Sequence, residues 1–433
     1  MILRRRNTNR MLYAILVLCI YSFKLVLIGV GDSGIRLDDF LIFAAFILLL
    51  ARGDLRRIKR SRAFNIYLGF VGISLVSSAW NSAIGRVSPF ISIIFVVRLL
   101  EYMVFYYLGY LAVRNGYNLK RMLSWFLTLL CIVVPLQMAG LVPTSGVFTG
   151  ITSRAVGNTN GPYEMAVVGA FLLCYLGYSQ SSYLKGAWSL FLIVLAASRI
   201  TFIATVISLT KILLQGLRSR RGWIVGFAAV GSLAVAGFFG TPYFSSGSSS
   251  EQTAVLSRLS SLNTNVSQSD MSEAYDAAPV YQKSTDFIDG EFQHAATEVS
   301  AFIDANGGDA SALQRLYRWT TLIKSALNSL DATAIGLGPS FGSTAVDGYF
   351  VRVFIETGVL GLAMFCWFAL ALLYGEGPAS KPFREYVYIL LITACFIDIF
   401  VSYKPMLLLW LWHGVRQFES GKELHEDRVP NEG

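Results

Sequence analysis

Residues 187–214 read AWSLFLIVLAASRITFIATVISLTKILL, and the fold turns on whether this apolar run is one helix or two. As a single membrane span it would set Lys185 and the group Arg218, Arg220 and Arg221 on opposite faces of the bilayer. That breaks the tendency of cytoplasmic loops to collect Lys and Arg. Two short helices, 187–197 and 200–214, meeting at Ser198-Arg199 keep those bases on one face. The first rises only about 16 Å against a hydrocarbon core of about 30 Å, so the turn carries Arg199 near or below the opposite membrane surface.

The same alternation runs outward through the chain. Of its 433 residues 54% are hydrophobic and 15% charged, with a mean hydropathy of +0.54, which excludes a soluble globular enzyme. Apolar runs at 11–30, 38–51, 63–81, 91–113, 122–143, 161–179, 187–197, 200–214, 223–240, 348–373, 386–402 and 404–415 predict an all-α polytopic membrane protein of about 12 transmembrane helices. Of 36 Lys and Arg, 23 fall in alternate loops and tails, which we term side one. The short loops of side two hold Arg36, Arg86, Arg154, Arg199 and Lys404. Side one is therefore expected to be cytoplasmic, with both termini on it. The net charge of +9 then reflects topology and not a nucleic-acid partner. Basic residues precede the first apolar run, but no small-residue cleavage site follows before Gly29, so 11–30 is expected to be a retained helix. The five cysteines all lie in apolar spans, so no disulfide framework is implied.

This divides the chain into helices one to nine over 1–240, an extracytoplasmic loop domain over 241–347, helices ten to twelve over 348–415 and a cytoplasmic tail over 416–433. The loop domain has 107 residues with 12 acids and 5 bases, and opens on the low-complexity run Ser245–Ser250. Within it, Leu313, Leu316, Trp319, Ile323, Leu327 and Leu330 recur at three- and four-residue steps. They predict an amphipathic helix over 311–330, able to lie across the mouth of the bundle. No internal repeat relates the two halves, which argues against transporter folds built from repeats.

An ionisable group in lipid needs a partner or a task. Arg98 and Glu101 are three apart, and Arg352 and Glu356 four apart, spacings that allow intrahelical ion pairs. In Arg154-Ala-Val-Gly157-Asn158-Thr-Asn160-Gly-Pro162-Tyr163-Glu164 the Asn, Gly and Pro are ordinary turn and helix-start residues. The arginine is not required by that grammar. With Arg199, and with Arg315 and Arg318 on the amphipathic helix, Arg154 can form a cationic cluster on side two if the fold joins these segments. Guanidinium groups suit a diphosphate because they bond it bidentately and stay charged. They also stabilise charge on a departing diphosphate. No metal is needed for this, and no Cys, His or acidic cluster has ligand spacing. The segment from Gly336 to Tyr349 is glycine-rich but lacks the Lys-Ser/Thr ending of a P-loop. Asp347, at its end, either caps the next helix or accepts a proton from a sugar hydroxyl.

Over roughly 150–365 the sequence resembles the O-antigen ligase and Wzy-type polysaccharide polymerase superfamily. The resemblance rests on Arg154 with Gly157 and Asn160, on Ser198-Arg199, on Arg315 four residues before Trp319, on Gly336 and Gly338, and on Glu356 with Gly358 and Gly361. It implies a metal-independent, cofactor-free, inverting glycosyl transfer from an undecaprenyl-diphosphate glycan to an acceptor sugar on the extracytoplasmic face of the plasma membrane. Arg154, Asn160, Arg199, Arg318 and Glu356 would hold substrate, with Arg315 and Asp347 at the reacting centre. Ligases of the superfamily usually carry a His just before the Glu-x-Gly helix, where this chain has Asp347-Gly348. That favours polymerisation of repeat units over ligation to another acceptor, with a precursor transporter as a further alternative. The implied partners are lipid-linked donor and acceptor glycans, membrane lipid, a chain-length regulator and export proteins.

Overall fold

The computed structural model describes residues 2–23, 26–28, 35–143, 154–196, 198–216, 278–290, 310–342, 346–375 and 381–426. The span expected at 223–240, residues 241–277 and 291–309 of the loop domain, and the side chain of Arg199 lie outside the described residues. The described residues are mostly helical, with one two-stranded antiparallel ribbon among them, β1 (Val26–Ile28) and β2 (Ile35–Arg36). The helices are α1 (Ile2–Tyr21), α2 (Leu37–Ala51), α3 (Asp54–Arg57), α4 (Arg62–Ala83), α5 (Pro89–Arg114), α6 (Leu119–Met138), α7 (Pro162–Leu172), α8 (Tyr183–Leu195) and α9 (Arg199–Gly216). After them come α10 (Ala310–Leu327), α11 (Leu330–Ile335), α12 (Tyr349–Tyr374), α13 (Lys381–Ala394) and α14 (Tyr403–Glu426). Among the described residues, α4, α5, α6 and α12 are long and apolar enough to cross a membrane.

The centre of the bundle is the pair α5 and α14, with α4 and α12 packed as a second pair beside it. A glycine on each helix of the first pair lets the backbones touch. A Cβ on Gly109 would meet Leu411 O at 2.3 Å, and one on Gly414 would meet Tyr106 O at 2.0 Å. In lipid, where apolar side chains gain little by leaving one apolar surface for another, such close backbone approach is a main source of helix association. Around the crossing, Phe64, Tyr67, Tyr106, Phe368 and Trp410 form an aromatic cluster of tilted, edge-to-face and stacked rings.

Loops of one side meet one another. On side one Asn9 Nδ2 donates to Asn115 Oδ1 (2.7 Å), Arg52 Nη1 to Asn9 Oδ1 (2.6 Å) and Tyr106 OH to Lys59 O (2.8 Å). On side two Arg86, Asn81 and Ser284 join the α10–α11 region and the glycine-rich loop.

Several expected boundaries move. The first helix runs from Ile2 to Tyr21 and not over 11–30, because the carbonyls at its end are taken up by side chains from elsewhere in the fold, described below. The last helix continues to Glu426, well past the expected end at 415, with Pro405 in its first turn, where a missing N–H is harmless. The amphipathic helix ends at Leu327, and Ser329 caps the separate helix α11 by accepting from Ala332 N. Among its described side chains the buried ones are Thr321, Leu322, Ser325 and Ala326, one position off the expected Ile323 and Leu327, and Leu330 is 91% exposed. The neighbour that decides this is α12, against which α10 and α11 both pack. Helix α8 ends at Leu195 and α9 begins at Arg199.

Candidate functional site

The polar groups of side two are assembled in three layers, and the first is a helix end. The last carbonyls of α1 have no partner within the helix. Lys404 Nζ donates to Cys19 O (2.7 Å), Ile20 O (2.7 Å) and Ser22 O (3.0 Å), and Asn158 Nδ2 to Ile20 O (3.0 Å), Tyr21 O (3.3 Å) and Ser22 O (3.3 Å). A cation there also opposes the negative end of the helix dipole. Arg36, Asp38, Asn160 and Glu164 line the crevice beside it, which has room for about one water molecule, some 10 Å³.

The second layer is the turn before α7. Gln137 of α6 grips it at both backbone polar atoms of one residue, accepting from Gly157 N (2.8 Å) and donating to Gly157 O (2.9 Å). Gly157 has φ of +60°, and a Cβ there would meet Met165 Sδ at 2.8 Å, so both conformation and packing select glycine. Ala155 N donates to Leu195 O (3.0 Å) and Arg154 Nε to Ala196 O (3.4 Å). Arg154 therefore stands at the break between α8 and α9, beside the start of the helix that Arg199 opens. Asn160 N donates to Glu164 Oε2 (3.0 Å), a carboxylate satisfying the N-terminus of α7.

The third layer joins α10, the glycine-rich loop and α12. Arg315 Nε donates to Asp347 Oδ2 at 3.0 Å, with side chains 23% and 45% exposed. Trp319 Nε1 donates to Asp347 O. Gly348, at φ +105°, leaves room for the Trp319 ring, which a Cβ would meet at 2.7 Å. Arg318 lies in the electrostatic field of Asp347, and its pKa is lowered by burial against that carboxylate's opposing pull. Below this surface group, Arg352 is 3% exposed. It donates from Nε to Asp398 Oδ2 (2.7 Å) and from Nη1 to Glu356 Oε1 (3.0 Å), and its Nη2 lies 2.6 Å from Asp398 Oδ2. Glu356 Oε1 also accepts from Ser340 N (3.2 Å), latching the glycine-rich loop to α12.

No protein-family model matches the chain, and no curated protein matches it. Function has to be read from its own residues. Of the residues singled out in the sequence, Arg315 and Asp347 pair, Arg318 lies in the field of that carboxylate, and Glu356 sits beneath them among protein partners. Arg154 and Asn160 belong to the neighbouring turn. Sequence reasoning missed Asp398, although an acid inside the apolar run 386–402 is itself a signal. It also missed Gln137 and Asp38, and counted Lys404 only as a charge.

At the edge of the site α11 is tied to the α4–α5 turn. Asp331 Oδ2 accepts from Arg86 Nη1 (2.7 Å) and Trp80 Nε1 (3.3 Å). Hydrogen bonds from Ser329 and Arg86 hold its carboxyl well below the usual carboxylate range. A depressed pKa adds stability that is complete above the unfolded value of about 3.9 and fades as the pH falls toward the folded one. Asp331→Asn is thus expected to lower stability by up to about 1 kcal/mol at pH 7, with the gap to wild type narrowing below about pH 4. Paired thermal melts in detergent check this; a gap unchanged between roughly pH 7 and pH 2.5 would rule out a charge contribution.

Proposed function

We propose that the chain is a metal-independent polysaccharide polymerase that joins undecaprenyl-diphosphate-linked oligosaccharide repeats at the extracytoplasmic face of the plasma membrane. The observation that carries this reading is the ion pair of Arg315 with Asp347 at the surface end of α12, with Arg318 three residues along the same helix in the field of that carboxylate. Two guanidinium groups beside a half-exposed carboxylate suit a diphosphate that arrives next to a hydroxyl to be deprotonated. An incoming diphosphate competes with Asp347 for Arg315 and frees the carboxylate. The acceptor hydroxyl then attacks the anomeric carbon, the bond from that carbon to the diphosphate oxygen breaks, the diphosphate leaves with the electron pair, and Asp347 takes the hydroxyl proton. Arg154 and Arg199, at the α8–α9 break, serve the second lipid diphosphate. Glu356 and Arg352 position the loop and helix that carry Asp347. The reading includes about 12 spans, the loop domain outside and both termini inside, following the asymmetry of Lys and Arg.

The test is reconstitution of the purified chain with an undecaprenyl-diphosphate repeat unit in EDTA, with products resolved by size. The expected product is a ladder still attached to lipid diphosphate. Arg315→Ala and Asp347→Asn should each reduce chain extension by about 10²–10³-fold while the protein still inserts. Unimpaired ladders from both variants would overturn the assignment of the site. Transfer of glycan to another acceptor, such as a lipid core or a protein, without a ladder would make the chain a ligase.

A further inference from the structure

On side one, away from the site above, α6 and α8 diverge to leave a cavity of about 600 Å³ open to the surroundings of the bundle. Its chemistry is graded along α6. Lys120 and Arg121 stand in the first turn, Trp125 about one turn on, and Leu127 and Ile132 deeper, Ile132 lying roughly 18 Å from Lys120 at 1.5 Å per residue. From α8 come Lys185 and Trp188. Lys185 Nζ donates to Ser124 Oγ at 2.6 Å, which directs the ammonium across the groove toward α6. Trp125 and Trp188 are 60% and 46% exposed. No acidic residue lines the cavity.

The sequence of cations, then indoles, then aliphatic wall repeats the profile of a bilayer leaflet from headgroup to acyl chain, since indole rings favour the interface. Three cations with no lining carboxylate call for an anionic headgroup, and the aliphatic wall beneath calls for a chain attached to it. We propose that this groove binds one anionic phospholipid of the leaflet on side one, with its phosphate among Lys120, Arg121 and Lys185 and an acyl chain along Leu127 and Ile132. Basic pockets between membrane helices suit such headgroups, each base near the surface contributing about a fivefold preference. The inference does not depend on the polymerase reading, because the groove shares no residue with that site.

In mixed vesicles, brominated phosphatidylglycerol should quench Trp125 and Trp188 at least about tenfold more effectively, mole for mole, than brominated phosphatidylcholine. The signal is isolated by subtracting the doubly substituted protein Trp125→Phe, Trp188→Phe. The variant Lys120→Gln, Arg121→Gln, Lys185→Gln should lose this preference. Equal quenching by both lipids in the unaltered protein would overturn the proposal whether or not the triple variant folds. So would a melting temperature in detergent raised as much by inorganic phosphate as by phosphatidylglycerol, because the site would then recognise the anion without its chain. Retention of the preference in a folded triple variant would also overturn it.

Discussion

Arg352→Ala should destabilise the protein by about 3–5 kcal/mol, the range measured when one partner of a buried ion pair is deleted. The guanidinium is nearly inaccessible and is shared between Asp398 and Glu356. Removing it leaves two buried carboxylates facing a cavity at the first turn of α12. The loss should extend beyond the pair. Glu356 holds Ser340 N, and Arg352 Nη2 donates to Val346 O at 3.4 Å, so both ends of the loop bearing Asp347 come loose. Arg352→Lys should recover only part of the stability, because one ammonium cannot serve both carboxylates with the geometry of a planar fork. The combination Arg352→Met, Glu356→Gln, Asp398→Asn should melt closer to wild type than Arg352→Ala does, because it leaves no unpaired charge. Fluorescence-detected gel filtration after a temperature ramp measures all three. A wild-type melting point for Arg352→Ala would show that the clamp is not structural.

The second large effect is at Gly358. Helix α12 is interrupted there, with φ +66° and ψ −167°, a conformation close to glycine-only territory and costing about 1–3 kcal/mol for other residues. The interruption lets the loop approach the helix backbone. Leu337 N donates to Ile355 O (2.7 Å) and Gly338 N to Glu356 O (3.2 Å), while Ser77 Oγ of α4 donates to Glu356 O (2.7 Å). The end of α11 lies directly against the kink. A Cβ on Gly358 would come within 2.3 Å of Ala334 O, and one on Gly336 within 2.3 Å of the Glu356 carbonyl carbon. Gly358→Ala should therefore cost about 3 kcal/mol or more, combining conformational strain with displacement of α11. Gly85→Ala is the control. Its φ is +74° but nothing lies within 4 Å of the added carbon, so about 1–2 kcal/mol of left-handed strain is all it should show. Equal losses at the two positions would refute the role given to the close contact.

Much of the helical layout was legible because its signals are local. The break at Ser198-Arg199 follows from the charges flanking one apolar run, and α8 and α9 are separate helices there. The pairing of Arg352 with Glu356 follows from four-residue spacing on one helix. The glycines 336, 338 and 358 stood out in the sequence, but that Gly336 lies against the Glu356–Thr357 backbone and Gly358 against Ala334 did not. The chemistry assigned to Glu356 from resemblance also read only half its surroundings, since Ser340 N and the shared Arg352 place it within the protein's own framework.

The sequence by itself determined that α4, α5, α6 and α12 are apolar helices long enough to cross a membrane, and that Arg352 and Glu356 share a helix face on which they pair. Both depend on residues within a few turns of one another. Only the tertiary structure decided that Lys404 closes the end of α1, 385 residues away from Cys19, that Asp398 completes the Arg352 clamp, and that Arg315 meets Asp347. A buried polar group takes the partner that packing brings within 3 Å, and that choice belongs to the arrangement of distant helices, which no local pattern encodes.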